Sequence, residues 1–210
     1  TFINDPKVIR CFIRNINIDH PKVQPIPIGI PNKFCLNLTS EEFLSLTTNL
    51  TNYNPKRNGL VYMNFRDKTF ERERRFVWSY FASKEFIKKT SDRPFEEYLT
   101  DLKESTFCLS PSGNGIECYR TWEAMYMGCI PVIRPRTKYP EEGPVIGYNK
   151  LYHDLPVIIV SEWEEVNPEF LSNKLEEFKN REFNMEKLYF PYWRNLILGE
   201  SERFKRDFKS

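Results

Sequence analysis

Glycine and histidine are scarce in this chain of 210 residues, at eight and two, and no apolar run approaches the roughly 20 residues needed to cross a bilayer. With two histidines and five scattered cysteines there is no close His/Cys/Asp cluster of the kind that holds a transition metal. No Asp-x-Asp pair occurs, the lysine of a phosphate-binding P-loop is missing, and Gly-x-Gly-x-x-Gly is incomplete, which argues against nucleotide enzymes built on those motifs. Charge of one sign is lacking too. Basic and acidic residues number 31 and 29, a net of +2, so no global field recruits nucleic acid or a membrane surface. No charged-then-apolar leader opens the sequence, and no internal repeat or low-complexity block interrupts it. The cysteines (Cys11, Cys35, Cys108, Cys118, Cys129) are odd in number and lack close paired spacing, so reduced, buried thiols and a cytoplasmic setting are expected.

What is present is a long alternation of strand and helix signals. Residues 7–14 alternate apolar and basic side chains and predict an edge strand. The proline-studded stretch 21–31 predicts extended backbone. Thr39 and Glu42 form a capping box, predicting a helix over about 40–50. The run 60–65 suits the first strand of a parallel sheet. A charged helix over 69–89 follows, with Phe70, Val77, Phe81 and Phe86 inward, and a second helix opens at Pro94 and runs to Lys103. Beyond residue 133 the pattern predicts an irregular loop over 134–153, a strand over 156–160, a short helical turn at 162–166, helices over 168–179 and 185–198, and a fraying tail from Glu200. Most aromatic residues, Trp122 among them, read as core. The fold class expected is α/β, a Rossmann-type doubly wound parallel sheet binding ligand at the carboxyl ends of its strands. The division expected is a partial N-terminal lobe and linker over 1–58 and a main domain over 59–210.

The densest signal lies at 107–133, Phe-Cys-Leu-Ser-Pro-Ser-Gly-Asn-Gly-Ile-Glu-Cys-Tyr-Arg-Thr-Trp-Glu-Ala-Met-Tyr-Met-Gly-Cys-Ile-Pro-Val-Ile. It predicts a strand at 106–109, a turn at 111–115 whose glycines take positive φ and approach a ligand closely, a helix from near Ile116, a stop at Gly128 and a strand at 129–133. The unpaired N–H groups of the helix's first turn would face an anion held above the turn. Arg120 can fork onto two phosphate oxygens, or pair at the surface with Glu117 or Glu123. Arg66 follows the first parallel strand and either projects into the crevice or is an ordinary strand-end cation.

This segment resembles the donor-sugar half of exostosin-type glycosyltransferases, and the similarity extends more loosely from about Lys22 through residues 62–66 and 154–160 to Tyr192 and Trp193. The resemblance implies a GT-B-like nucleotide-sugar-binding domain with a remnant of the acceptor lobe before it. It also implies transfer, inverting by analogy, from a UDP-sugar to a hydroxyl of a glycan or glycoprotein acceptor. Ser110, Gly113, Asn114, Gly115 and Arg120 would then cradle the diphosphate. Glu123 matches the glutamate that accepts ribose hydroxyls, with a plain helix-face charge as the alternative. Fixed cations and N–H dipoles would stabilise the leaving diphosphate without a metal or other cofactor. His20 beside Asp19 is a possible general base and also an ordinary loop histidine. His153 could contact donor sugar or cap its strand. The family's usual secretory residence and two sequons, at Asn37 and Asn49, set a lumenal location against the cytoplasmic one. A non-catalytic nucleotide-sugar-binding or partner domain is the competing function.

Overall fold

The computed structural model describes residues 2–31, 39, 41–42, 45, 57, 60–136 and 145–207. Five short strands form a wholly parallel sheet in the order β4 (Ile87–Lys89), β3 (Val61–Met63), β5 (Phe107–Leu109), β6 (Ile130–Ile133), β7 (Ile158–Ile159). The central strands are apolar at every position because helices cover both faces. Alternation along each strand then sorts the core into two layers. Val61, Met63, Phe107 and Leu109 face α1 (Glu71–Phe81) and α5 (Pro168–Lys179), where Val77, Phe81, Leu171 and Trp163 complete the layer. Tyr62 and Cys108 face α2 (Phe95–Glu104) and α3 (Tyr119–Tyr126), packing with Leu99, Leu102, Ala124 and Met127. Each fully buried large side chain here contributes on the order of 1.5–3 kcal/mol.

Residues 87–89 are a strand where a helix tail is expected. The main chain turns after Phe81, with the Lys84 N–H donating to Phe81 O, and Ile87 enters the sheet as the edge strand beside Val61. Its two lysines suit an edge, where charge discourages further pairing. This correction matters for function. With β4 and β5 on opposite sides of β3, the chain reverses direction across the sheet between β3 and β5, opening a crevice at their carboxyl ends.

Helix α3 starts at Tyr119, later than the sequence predicts, and ends at Tyr126, where Gly128 (φ +68) and the Cys129 N–H bond to Ala124 O make a Schellman stop. The expected loop over 134–153 contains a short helix, α4 (Tyr148–Tyr152), preceded by Gly147. The last helix, α6 (Phe190–Asp207), runs through the expected fraying tail. Thr39 and Glu42 do form the capping box, Thr39 N–H to the Glu42 carboxylate at 2.5 Å and Glu42 N–H to Thr39 Oγ1 at 3.1 Å, but most of that helix lies outside the described residues. The N-terminal segment adds a separate parallel pair, β1 (Cys11–Ile13) and β2 (Val23–Pro25). It packs through Ile16 and Val23 onto Trp122, Tyr148 and Tyr152. Cys11, Cys108, Cys118 and Cys129 are free thiols, and Cys35, Asn37 and Asn49 lie outside the described residues. Among the described residues no helix is long and apolar enough to cross a membrane.

Candidate active site

At the crevice a cavity of about 960 Å³ is lined by residues 64–69 after β3, Trp78 of α1, residues 91–93 after β4, and Asn114 from the loop after β5. That volume suits a ligand of nucleotide size. Arg66 and Asn114 line it and are exposed. Of the acidic lining residues, Asp67 lies 3.6 Å from Arg75 of α1.

Two arginines, Arg120 and Arg74, do not line this cavity themselves but contact residues that do, namely Asn64, Phe65 and Arg66. Arg120, in the first turn of α3, donates from Nε to the main-chain oxygen of Asn64 at 2.8 Å, and its Nη1 is buried without a partner. Arg74 of α1 donates from Nε to Ser112 O at 2.8 Å and from Nη1 to Arg66 O at 2.9 Å, tying together the loops that follow β3 and β5. Both guanidinium carbons lie within cation–π range of the Phe65 ring, at 5.6 Å for Arg74 and 5.3 Å for Arg120. Burial first, and the charge of Arg120 second, push the Arg74 pKa down. Burial also opposes the charge of Arg120, but Tyr98, Cys118, Cys108 and Glu123 around it more than offset that effect. Among the described residues neither arginine forms an ion pair, so the surface pairing of Arg120 with Glu117 or Glu123 does not occur. Two adjoining cations that form no direct ion pair among the described residues, with Glu123 and Glu73 as the nearby carboxylates, can accept an anion at modest cost, because a partly desolvated charge gains from a counterion.

The turn at 111–115 differs from its expected form. Neither Gly113 nor Gly115 has positive φ, and their missing side chains make room for protein groups. A Cβ on Gly113 would sit 2.8 Å from Arg74 Nη2, and one on Gly115 would sit 2.3 Å from Asn15 Oδ1. The glycines thus let Arg74 and Asn15 press against the turn. The Gly113 N–H is spent on Gly115 O at 3.0 Å, and α3 begins several residues downstream, so the turn does not feed directly into the helix. Ser110 is buried, its hydroxyl bonded to Thr121 Oγ1 at 2.9 Å.

Glu117 is a hub. Its carboxylate accepts from Asn15 N–H at 2.9 Å, Ile28 N–H at 3.0 Å and Trp122 Nε1 at 3.2 Å, while its own N–H donates to Asn15 Oδ1 at 2.8 Å. Glu123 is buried and accepts the Tyr98 hydroxyl at 2.6 Å. Burial pushes its carboxyl above the usual range, against the Tyr98 bond and the charge of Arg120. To take ribose hydroxyls it would have to share or give up Tyr98. His20 and Asp19 are not assembled as a pair. Asp19 is ion-paired with Lys150, while His20 Nδ1 accepts from Lys22 N–H and Nε2 faces Asn4 Oδ1, both at 3.1 Å. His153 is exposed and pairs with Asp154 at 2.6 Å.

Sequence reasoning missed Arg74 and Asn64. A signal for Arg74 existed: it lies four residues after Phe70 and three before Val77, on the inward stripe of a helix whose charge otherwise reads as solvated. Among the described residues no group of three or more His, Cys, Asp or Glu is arranged to hold a metal ion. Comparison with known families finds that residues 55–196 match the model described as the RXYLT1 C-terminal domain. No curated protein matches the sequence.

Proposed function

The chain belongs to the RXYLT1 C-terminal domain family, an exostosin-like glycosyltransferase family, and from that premise we propose that it binds a nucleoside-diphosphate sugar, a UDP-sugar by family analogy, in the crevice between β3 and β5. The observation that carries this reading is the Arg120 guanidinium, with Nη1 buried and unbonded, beside a second cation, Arg74, whose charge burial disfavours. In the proposed reaction an acceptor glycan hydroxyl attacks the anomeric carbon. The C–O bond to the diphosphate breaks with inversion, and the hydroxyl proton passes to a base. Charge builds on the departing diphosphate, where Arg120 would be the direct partner and Arg74, through the loops it ties, the positioning one. This arrangement supports leaving-group stabilisation by fixed cations rather than by a metal.

His20 is a weaker support for the base, since Asp19 serves Lys150 instead. Incubating the chain with a panel of UDP-sugars and glycan acceptors, and following UDP release and product mass, tests the proposal. Transfer that falls sharply in Arg120→Ala supports it. Tight UDP-sugar binding without transfer to any acceptor would instead favour the non-catalytic donor-binding role.

A further inference from the structure

Beside the arginines a polar network ends at the same crevice and is not used by the diphosphate reading. Its root is Asp101, buried in α2, whose carboxylate is held by Lys88 at 2.7 Å and by Arg93 Nε at 3.1 Å. Held by two cations, this carboxylate accepts hydrogen bonds, and the Tyr62 hydroxyl, 3.2 Å away, donates to it. Tyr62 oxygen can then only accept. Thr90 Oγ1 at 2.8 Å and Asn64 Nδ2 at 3.0 Å are the groups that donate to it. Asn64 Nδ2 donates to Thr90 Oγ1 as well, at 2.9 Å. The amide nitrogen is thereby turned inward, and a chain of one-way bonds fixes which way the side chain faces. Its Oδ1 has no bond among the described residues, and Asn64 lines the crevice.

We infer that Asn64 Oδ1 reads the nucleobase of the donor, accepting a hydrogen bond from a ring N–H flanked by carbonyls, as in uracil, and rejecting cytosine, whose corresponding ring nitrogen is itself an acceptor. This rests on the crevice being the donor site. The main-chain oxygen of Asn64 marks the diphosphate end, where it holds Arg120. Its side chain turns the other way, toward Thr90 and the loop 91–93 that closes the cavity on the β4 side. A nucleotide with its phosphates at Arg120 extends its base in that direction. A rigid acceptor meeting a second acceptor leaves both unpaired, the strongest basis for discrimination between ligands of equal size.

Calorimetric titration of the whole chain with UDP, CDP and inorganic pyrophosphate tests this, using the wild type, Asn64→Leu and Thr90→Val. The expected result is UDP binding about tenfold or more tighter than CDP in the wild type. That ratio should collapse in Asn64→Leu with pyrophosphate binding unchanged, which also reports an intact fold. Thr90→Val, which leaves the amide in place but removes one of its anchors, should lower the ratio partway. A ratio that survives Asn64→Leu, or equal binding of UDP and CDP by the wild type, overturns the inference while leaving the diphosphate site standing. Failure of UDP and pyrophosphate alike to bind the wild type removes the donor site itself, and the inference with it.

Discussion

Replacing Arg120 with alanine separates a ligand-binding cation from a structural one, because the two roles predict opposite patterns in stability and affinity. In the free protein the side chain makes one hydrogen bond, Nε to Asn64 O at 2.8 Å, and stacks near Phe65, while Nη1 is desolvated with nothing in return. Losing the bond and the aromatic contact costs about 1 kcal/mol each, and removing a buried unpaired cation returns a similar amount. The net change in folding stability is therefore expected to fall within about 1 kcal/mol, read from urea midpoints. Affinity for UDP should fall much further. A charge-assisted contact to phosphate is worth about 1.5–3 kcal/mol, or roughly 10- to 150-fold in dissociation constant by calorimetry. Arg120→Lys should land between, keeping the charge and losing the fork. A variant that loses stability while binding UDP as the wild type does would refute the reasoning and make Arg120 a packing residue.

Gly115→Ala should destabilise by about 1–3 kcal/mol in chemical denaturation, since the new methyl collides with Asn15 Oδ1 and breaks its bond to the Glu117 N–H. Glu117→Ala should cost about 2–4 kcal/mol, because it strands two main-chain N–H groups and the Trp122 indole N–H together; a loss below about 1 kcal/mol would contradict the hub. Burial holds the carboxyls of Glu73, Glu117 and Glu123 above the ordinary 4.5, so the folded chain keeps protons that the unfolded chain releases. Their contribution is full below about 4.5 and is lost as pH rises through the raised values. Glu123→Gln, which still accepts the Tyr98 hydroxyl, should flatten the decline of urea midpoint with pH above that point, and an unaltered slope would show that Glu123 does not titrate there.

The strand and helix alternation from residue 60 onward was legible because both sheet faces are covered and each central strand is an unbroken apolar run, as at 61–63 and 107–109. The edge strand at 87–89 was not, since Ile-Lys-Lys after a charged helix has no period of its own and is defined only by pairing with Val61. Arg120 is legible as a local motif residue and Asn64 is not, because the network that orients Asn64 depends on Asp101 and Thr90, far along the chain and brought close only by the sheet. The glycines at 113 and 115 serve close packing rather than the positive φ that their sequence context predicts. Sequence shows that a side chain is absent, and only the fold shows that Arg74 and Asn15 occupy the space.

The three-way grip on Glu117 bears on where this molecule can be cut. Two of its donors, at positions 15 and 28, precede the stretch that the family match covers. An excised fragment starting at residue 55 would keep the indole partner alone, expose the apolar seat of Ile16 and Val23 on Trp122, and leave an ionisable group stranded in the interior. The smallest piece that can be expected to fold by itself therefore includes the first thirty residues as well as the matched region.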